Sequence, residues 1–285
     1  MVIPENIKEL MKFRINIFTL FVAVMVAGCS KADVQTPCED AVTVNYCIQT
    51  PLTKAAGDGS KADYVWYALY RFKDDSFVME CEHIQPFTDG KALCPVRMTL
   101  DQSYKVLFVA QHYEIEGAAK TPTYPIDAVN ATVSMPAKAV VNSENYDMFA
   151  AIDTVMHFKG SAPKSMSLKR IVSMVNFFSS EEDWNGAAQK PAYASLELSS
   201  VPKSYSLLTK TASQQTCKVP YAKAPIVSAS DRHVATAYCL AGERGIGATI
   251  NLYSSDQATL ICTRTVADIP VAVNKKTQVT GNMIN

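Results

Sequence analysis

The chain has 285 residues, 48% of them hydrophobic and 19% charged, and its 27 basic and 27 acidic side chains cancel to a formal charge of zero. That hydrophobic share excludes a disordered polar chain, and the length suffices for two ordinary domains, each with its own core. No basic stripe gathers anywhere, which argues against a nucleic-acid partner.

In chain order, Lys12 and Arg14 lead into an apolar stretch, Ile15 to Gly28. It is shorter than the roughly 20 residues of a membrane-spanning helix and has the layout of a signal peptide. MVIPENIKEL ahead of it carries Pro4, Glu5 and Glu9, which are foreign to such a segment, so the natural start is expected at Met11. The stretch ends in Val26-Ala27-Gly28-Cys29, which resembles the bacterial lipobox. That resemblance implies cleavage before Cys29 and diacylglycerol on its thiol, each buried CH2 adding about 0.8 kcal/mol of membrane affinity. The alternative is an ordinary secretory signal beside a chance cysteine. On the first reading residues 1–28 are a signal peptide and the polar residues 29–40 a lipidated tether.

With Cys29 set aside, Cys38, Cys47, Cys81, Cys94, Cys217, Cys239 and Cys262 are odd in number and cannot all pair within one chain. Cys81 and Cys94 flank the turn signal Asp89-Gly90 and are a candidate disulfide across a hairpin. Cys38–Cys47 is a weaker candidate, and plain buried thiols are the alternative. No CxxC is present, which argues against a zinc ribbon or a thioredoxin-like site.

AVTVNYCI alternates, with Val42, Val44, Tyr46 and Ile48 on one face, and predicts a strand. PLTKAAGDGSKAD, residues 51–63, reads as a loop, and YVWYALYRF, FVMECEHI, RMTL and SYKVLFVAQH read as further strands parted by turns. A domain boundary is expected at 160/161, in the connector KGSAPKS, with β-sandwiches over 41–160 and 161–285. MSLKRIVSMVNFF has apolar positions at helical spacing, but breakers flank it and it reads as a strand. Ser179 and Glu182 have capping-box spacing, which predicts a short helix running up to Pro191. The short runs that follow complete an all-β reading.

Constellations for chemistry are missing. No GxSxG, Walker loop, HExxH or EF-hand loop occurs, and GERGIG, 242–247, has the wrong spacing for a dinucleotide fingerprint and reads as a hairpin turn. On a regular strand Glu80 and Glu82 face one way and Cys81 and His83 the other, so they do not converge as metal ligands. His83, His112, His157 and His233 are scattered, and Glu181, Glu182 and Asp183 suit a helix N-terminus. The expectation is a non-enzyme with no metal and no cofactor.

Several stretches resemble the fimbrillin-like lipoproteins of Bacteroidales, subunits of donor-strand-assembled (type V) pili: the lipobox ending at Cys29, ADYVWYALYRF, LDQSYKVLFVAQH, YDMFAAIDTV, SLKRIVSMVNFFSSEEDW and IPVAVNKKTQVTGNMI. The resemblance implies two tandem transthyretin-like sandwiches, an outer-membrane, cell-surface location, and partners that are other pilus subunits joined by strand addition. It also implies a first strand that is clipped away by an arginine-specific protease; here that strand is AVTVNYCI, with Val42, Val44, Tyr46 and Ile48 as its inward set, and permanent core is the alternative reading of those four. Two features depart from the family. No arginine lies between Cys29 and Arg71, and Arg71 falls inside a predicted strand, leaving Lys54 and Lys61 as the loop's candidate processing positions. Relatives also continue past the GNxx segment into a last strand, whereas this sequence stops at Asn285, so either its last sheet is an acceptor or the sequence is truncated. The alternative function is a monomeric surface adhesin that binds a glycan or a host protein; an exported hydrolase is the third reading.

Overall fold

In a computed structural model, residues 41–50 and 59–285 are described. The first half supplies β1 (Ala41–Gln49), β2 (Tyr64–Lys73), β3 (Ser76–Pro86), β4 (Lys91–Thr99) and β5 (Tyr104–Gln111). Short strands follow: β6 (Tyr113–Glu116), β7 (Ala119–Pro122), β8 (Ile126–Asp127), β9 (Thr132–Ser134) and β10 (Ala139–Val140). Next come β11 (Met148–Val155), β12 (Lys164–Ser167), β13 (Lys169–Arg170) and β14 (Val172–Ser179), then a helix, α1 (Glu181–Gly186). The remainder is β15 (Tyr193–Pro202), β16 (Ser204–Ser206), β17 (Thr211–Ala212), β18 (Thr216–Pro225), β19 (His233–Leu240), β20 (Ile246–Tyr253), β21 (Leu260–Ile269) and β22 (Lys276–Gly281). The protein is all-β.

Two sheet pairs carry the architecture. In the first, a three-stranded sheet of order β12-β1-β4 faces a five-stranded sheet of order β13-β11-β5-β2-β3. In the second, β19-β14-β22 faces β10-β18-β15-β20-β21. β12 pairs with β1 and β13 with β11, so the chain stays with the first sheet pair as far as Arg170, past the connector around 160/161.

The apolar runs that lack alternation have a common cause. β2 sends Val65, Tyr67 and Leu69 into the core shared with β1 and β4, and Trp66, Ala68 and Tyr70 into a second core. β5 divides Val106 and Phe108 from Leu107 and Val109 in the same way. A strand covered on both faces has no polar face to show, and it reads as continuous hydrophobic sequence. The second core continues without a break from Trp66 and Leu107 to Phe177, Leu198 and Ile250 of the second sheet pair.

Four local expectations change. The turn at Asp89 and Gly90 forms, with φ values of 51° and 69° and paired backbone bonds between Thr88 and Lys91. It joins β3 to β4 across the two sheets rather than within one hairpin. GERGIG likewise carries the chain from β19 in one sheet to β20 in the other. A bulge between Leu69 and Tyr70 leaves Glu80 without its own partner, so Glu80 meets Arg71 at 2.8 Å while Glu82 accepts from the indole of Trp66 at 2.6 Å. The two carboxylates therefore face opposite ways, because the extra residue of a bulge resets the alternation. Finally, the helix cap is Ser180, whose hydroxyl accepts from the Asp183 N–H, and the helix stops at Gly186, short of Pro191.

Candidate functional site

The strand that the sequence singles out lies in the middle of its sheet. β1 runs antiparallel to β4 in register from Ala41↔Thr99 to Gln49↔Lys91. On its other side it is parallel to β12, from Tyr46↔Lys164 to Gln49↔Ser167. Its alternation is strict: Val44, Tyr46 and Ile48 are buried, Val42 is half-buried, and Thr43, Asn45, Cys47 and Gln49 are exposed. The Tyr46 ring lies 5.1 Å from that of Phe108, on the facing sheet.

One polar cluster fastens this strand. The Tyr46 hydroxyl donates to Asp153 Oδ2 at 2.8 Å, and Lys164 Nζ donates to the same oxygen at 2.7 Å. Burial first, then the hydrogen bond to Asp153 and its charge, push the Tyr46 phenol well above its ordinary value, so it stays a donor. β1, β11 and β12 are thereby tied at one oxygen. A second tie follows the strand: Thr50 N–H donates to Gly90 C=O at 3.0 Å, and Leu168 N–H to Gln49 C=O at 2.8 Å.

The candidate processing positions differ in setting. Cys29 and Lys54 lie outside the described residues, as do the tether 29–40 and Cys38. Lys61 is exposed, in a tight turn closed by Ala62 N–H donating to Gly59 C=O at 3.1 Å. Gly59 has φ +82°, and a Cβ there would stand 2.9 Å from the Thr50 side chain and 3.1 Å from the Phe149 ring, so glycine is needed. Arg71 sits inside β2, with Val78 beside it on one strand and Tyr104 on the other, and its guanidinium bound to Glu80. Its main chain is locked in the ladder on both sides.

The candidate disulfide between Cys81 and Cys94 is not formed; both are free thiols, as in the alternative reading. They approach one core from opposite sheets, Cys81 on β3 and Cys94 on β4. Burial pushes the Cys94 thiol up to about 12, which makes it inert at neutral pH.

Three of the four histidines have side-chain partners. His112 pairs with Asp63 at 2.8 Å, His83 leans on the Tyr67 ring, and His233 stacks on Phe178 with centroids 4.2 Å apart. Among the described residues no three metal-ligating side chains converge. No helix among them is long and apolar enough to cross a membrane.

Asp183 is the residue whose part the sequence hides most fully. It is buried, and its Oδ2 accepts from the Ser179 hydroxyl and from the N–H groups of Met283 and Ile284, while Oδ1 accepts from Asn285 N–H. Burial raises its pKa, but these hydrogen bonds outweigh burial and hold the carboxyl below its ordinary value. An isolated acidic triplet gives no hint of contacts a hundred residues away; the same is true of the Tyr46–Asp153 pairing.

A further concave feature lies where β11 approaches the second sheet pair. It is a cavity of about 360 Å³ with Leu107, Ile152, Ile171 and Leu207 in its wall and Lys169 and Lys210 among its lining residues.

No curated protein matches the chain. Solved structures similar to it include a fimbrial assembly protein from Parabacteroides distasonis, at 12% identity and TM-score 0.45, over 84% of this chain and 90% of that one. A putative cell adhesion protein from Bacteroides eggerthii is similar at 11% identity and TM-score 0.49, over 86% and 88%. A putative polysaccharide binding protein from Bacteroides thetaiotaomicron is similar at 11% and 0.46, over 77% and 79%. A family model matches residues 34–285, and the chain belongs to that family, a family of unknown function (DUF6562).

Proposed function

We propose that this protein is a non-catalytic cell-surface lipoprotein, anchored in the outer membrane through Cys29, and a structural or accessory subunit of a pilus assembled by β-strand addition. The observation that carries the reading is the setting of β1. It is a middle strand near the described N-terminal end of the fold, and it plugs the core with Val44, Tyr46 and Ile48. Taking it out would leave β4 and β12 with unpaired edges and a row of empty pockets between them. A strand from another subunit with apolar residues at alternate positions would fill that slot, its main chain supplying affinity and its side chains specificity. The fimbrillin-like resemblance of the sequence supports the same reading.

A second reading, a monomeric adhesin for a glycan or protein, is favoured by one specific observation. β1 is fastened by the Tyr46–Asp153–Lys164 cluster, and Arg71, the first arginine after Cys29, is locked within a sheet. An uncut subunit would end or anchor a fibre rather than extend it.

N-terminal analysis of protein recovered from cells, with SDS gels of unboiled samples, distinguishes the two. The polymerising reading expects a new terminus close to Lys54 or Lys61 and SDS-resistant ladders. A lipidated Cys29 on all recovered chains, with no ladder after protease treatment, rejects polymerisation and leaves the adhesin.

A further inference from the structure

In the first sheet pair, β11 has one edge that is covered over only part of its length. β11 is paired with β5 along its whole length, from Met148↔Gln111 to Val155↔Tyr104. On its other side β13 meets it only at Phe149↔Arg170 and Ala150↔Lys169. Ile171 N–H donates to the Met148 C=O, so that carbonyl points toward the β13 side. Main-chain groups of alternate residues in an antiparallel strand point the same way. Those of Ile152 and Thr154 therefore face outward, and no described residue bonds to them. An unpaired edge of this kind is a template for another strand.

The cavity runs along this edge, since Ala150, Ala151 and Ile152 line it in succession. Its lining includes Lys169, Arg170 and Lys210 and no carboxylate. Arg170 is already engaged, its Nε 2.7 Å from Asp147 Oδ1 and its Nη2 2.9 Å from Oδ2. Lys169 and Lys210 are exposed, and neither is in an ion pair among the described residues. Unpaired main-chain groups, an apolar pocket and two uncompensated ammonium groups thus lie side by side.

We propose that this edge binds an extended acidic polypeptide segment by β-addition. The partner's main chain pairs with Ile152 and Thr154, one of its apolar side chains enters the cavity, and its carboxylates meet Lys169 and Lys210. The site goes beyond the slot of β1: it is open while β1 is in place and needs no proteolytic cut. Its success or failure is thus separate from that of strand exchange at β1.

The test uses the uncleaved full chain and a fluorescent synthetic peptide alternating valine with glutamate, read by anisotropy. The acidic peptide binds, and its affinity falls as salt screens the ion pairs. A peptide alternating valine with lysine does not bind. The double variant Lys169→Glu/Lys210→Glu, which removes two exposed ion pairs and reverses their charge, lowers affinity by about tenfold. Methylating alternate peptide amides, on the pairing side, abolishes binding. The proposal is overturned by equal binding of the two peptides, by an unchanged affinity in the double variant, or by equal binding of the methylated peptide. It is also overturned if polygalacturonate binds and the acidic peptide does not. Both lysines are exposed, so the double variant keeps the fold, which its melting temperature verifies.

Discussion

At the scale of single residues, two buried polar groups carry contacts out of proportion to their visibility in the sequence. Tyr46 joins a fully buried ring to a hydroxyl that shares Asp153 with Lys164. Tyr46→Phe keeps the ring and removes one hydrogen bond, at an expected cost of about 1 kcal/mol. Tyr46→Ala leaves a cavity as well, and roughly 3–5 kcal/mol is lost. Denaturant midpoints at constant m-value check both, and equal losses would show that the ring contributes nothing. Asp183 gives a pH signature. Its folded-state pKa lies below the unfolded carboxylate value of about 3.9, so the folded protein holds the proton less tightly than the unfolded chain. The stability it supplies is thus complete above that value and is lost as pH falls through the folded one. Asp183→Asn should cost about 1–3 kcal/mol at neutral pH, and its gap from the parent protein in thermal melts should close as the solution is acidified. A gap that stays constant with pH excludes the carboxylate as the source.

At the scale of elements, β1 shows both how much the sequence reveals and where it stops. Its alternation identified the strand and the inward set of Val44, Tyr46 and Ile48, because one face is core and the other is solvent. β14, by contrast, is buried on both faces, and its run of apolar residues fits a helix as well as a strand until Gly, Pro and neighbouring polar residues are weighed. Pairings were illegible for a different reason. A turn such as Asp89-Gly90 fixes the local bend but not which sheet the next strand joins, and that ambiguity is what made Cys81–Cys94 a candidate disulfide. The bulge at Glu80 was invisible because it shows only once β3 is set in register against β2. Nothing local marks the β11 edge as open, since its openness depends on how short β13 is. The β1 prediction belongs here. A chain lacking the residues up to Gln49 should fail to reach a cooperative fold, and a synthetic peptide of residues 41–49 added in trans should restore it. The same peptide with aspartate at positions 44, 46 and 48 should not, because a charge placed in the core is left without a partner. Rescue by the charged peptide, followed by near-UV circular dichroism, would show that the slot reads only main chain.

At the scale of the molecule, the two sheet pairs are not two independent cores. Residues 41–285 cluster as one compact unit. The larger core passes from Trp66, Tyr70 and Leu107 through Tyr124, Val133 and Met135 to Phe177 and Ile250. β2, β5 and β11 each bury one face in that core and the other in the core closed by β1. Anything that loosens the second sheet pair therefore removes cover from the back of the first, and the two are expected to unfold together. The tryptophans provide the means to see this, because there are 2, Trp66 on β2 and Trp184 in α1 beside the second sheet pair. Single-tryptophan proteins, Trp184→Phe and Trp66→Phe, report on one region each. Their fluorescence midpoints in denaturant should coincide with the circular dichroism transition of the same protein, as a two-state unit requires. Adding Phe177→Ala to each should destabilise by roughly 3–5 kcal/mol and move both reporters equally, although Phe177 lies in the second sheet pair. If the Trp66 signal keeps its midpoint while the Trp184 signal shifts, the shared core does not couple the halves. Strand exchange at β1 would then be a local event. If both move, removal of β1 draws on the stability of the whole fold, and on the proposed strand-exchange reading a chain without β1 would need an incoming strand to stay folded at all.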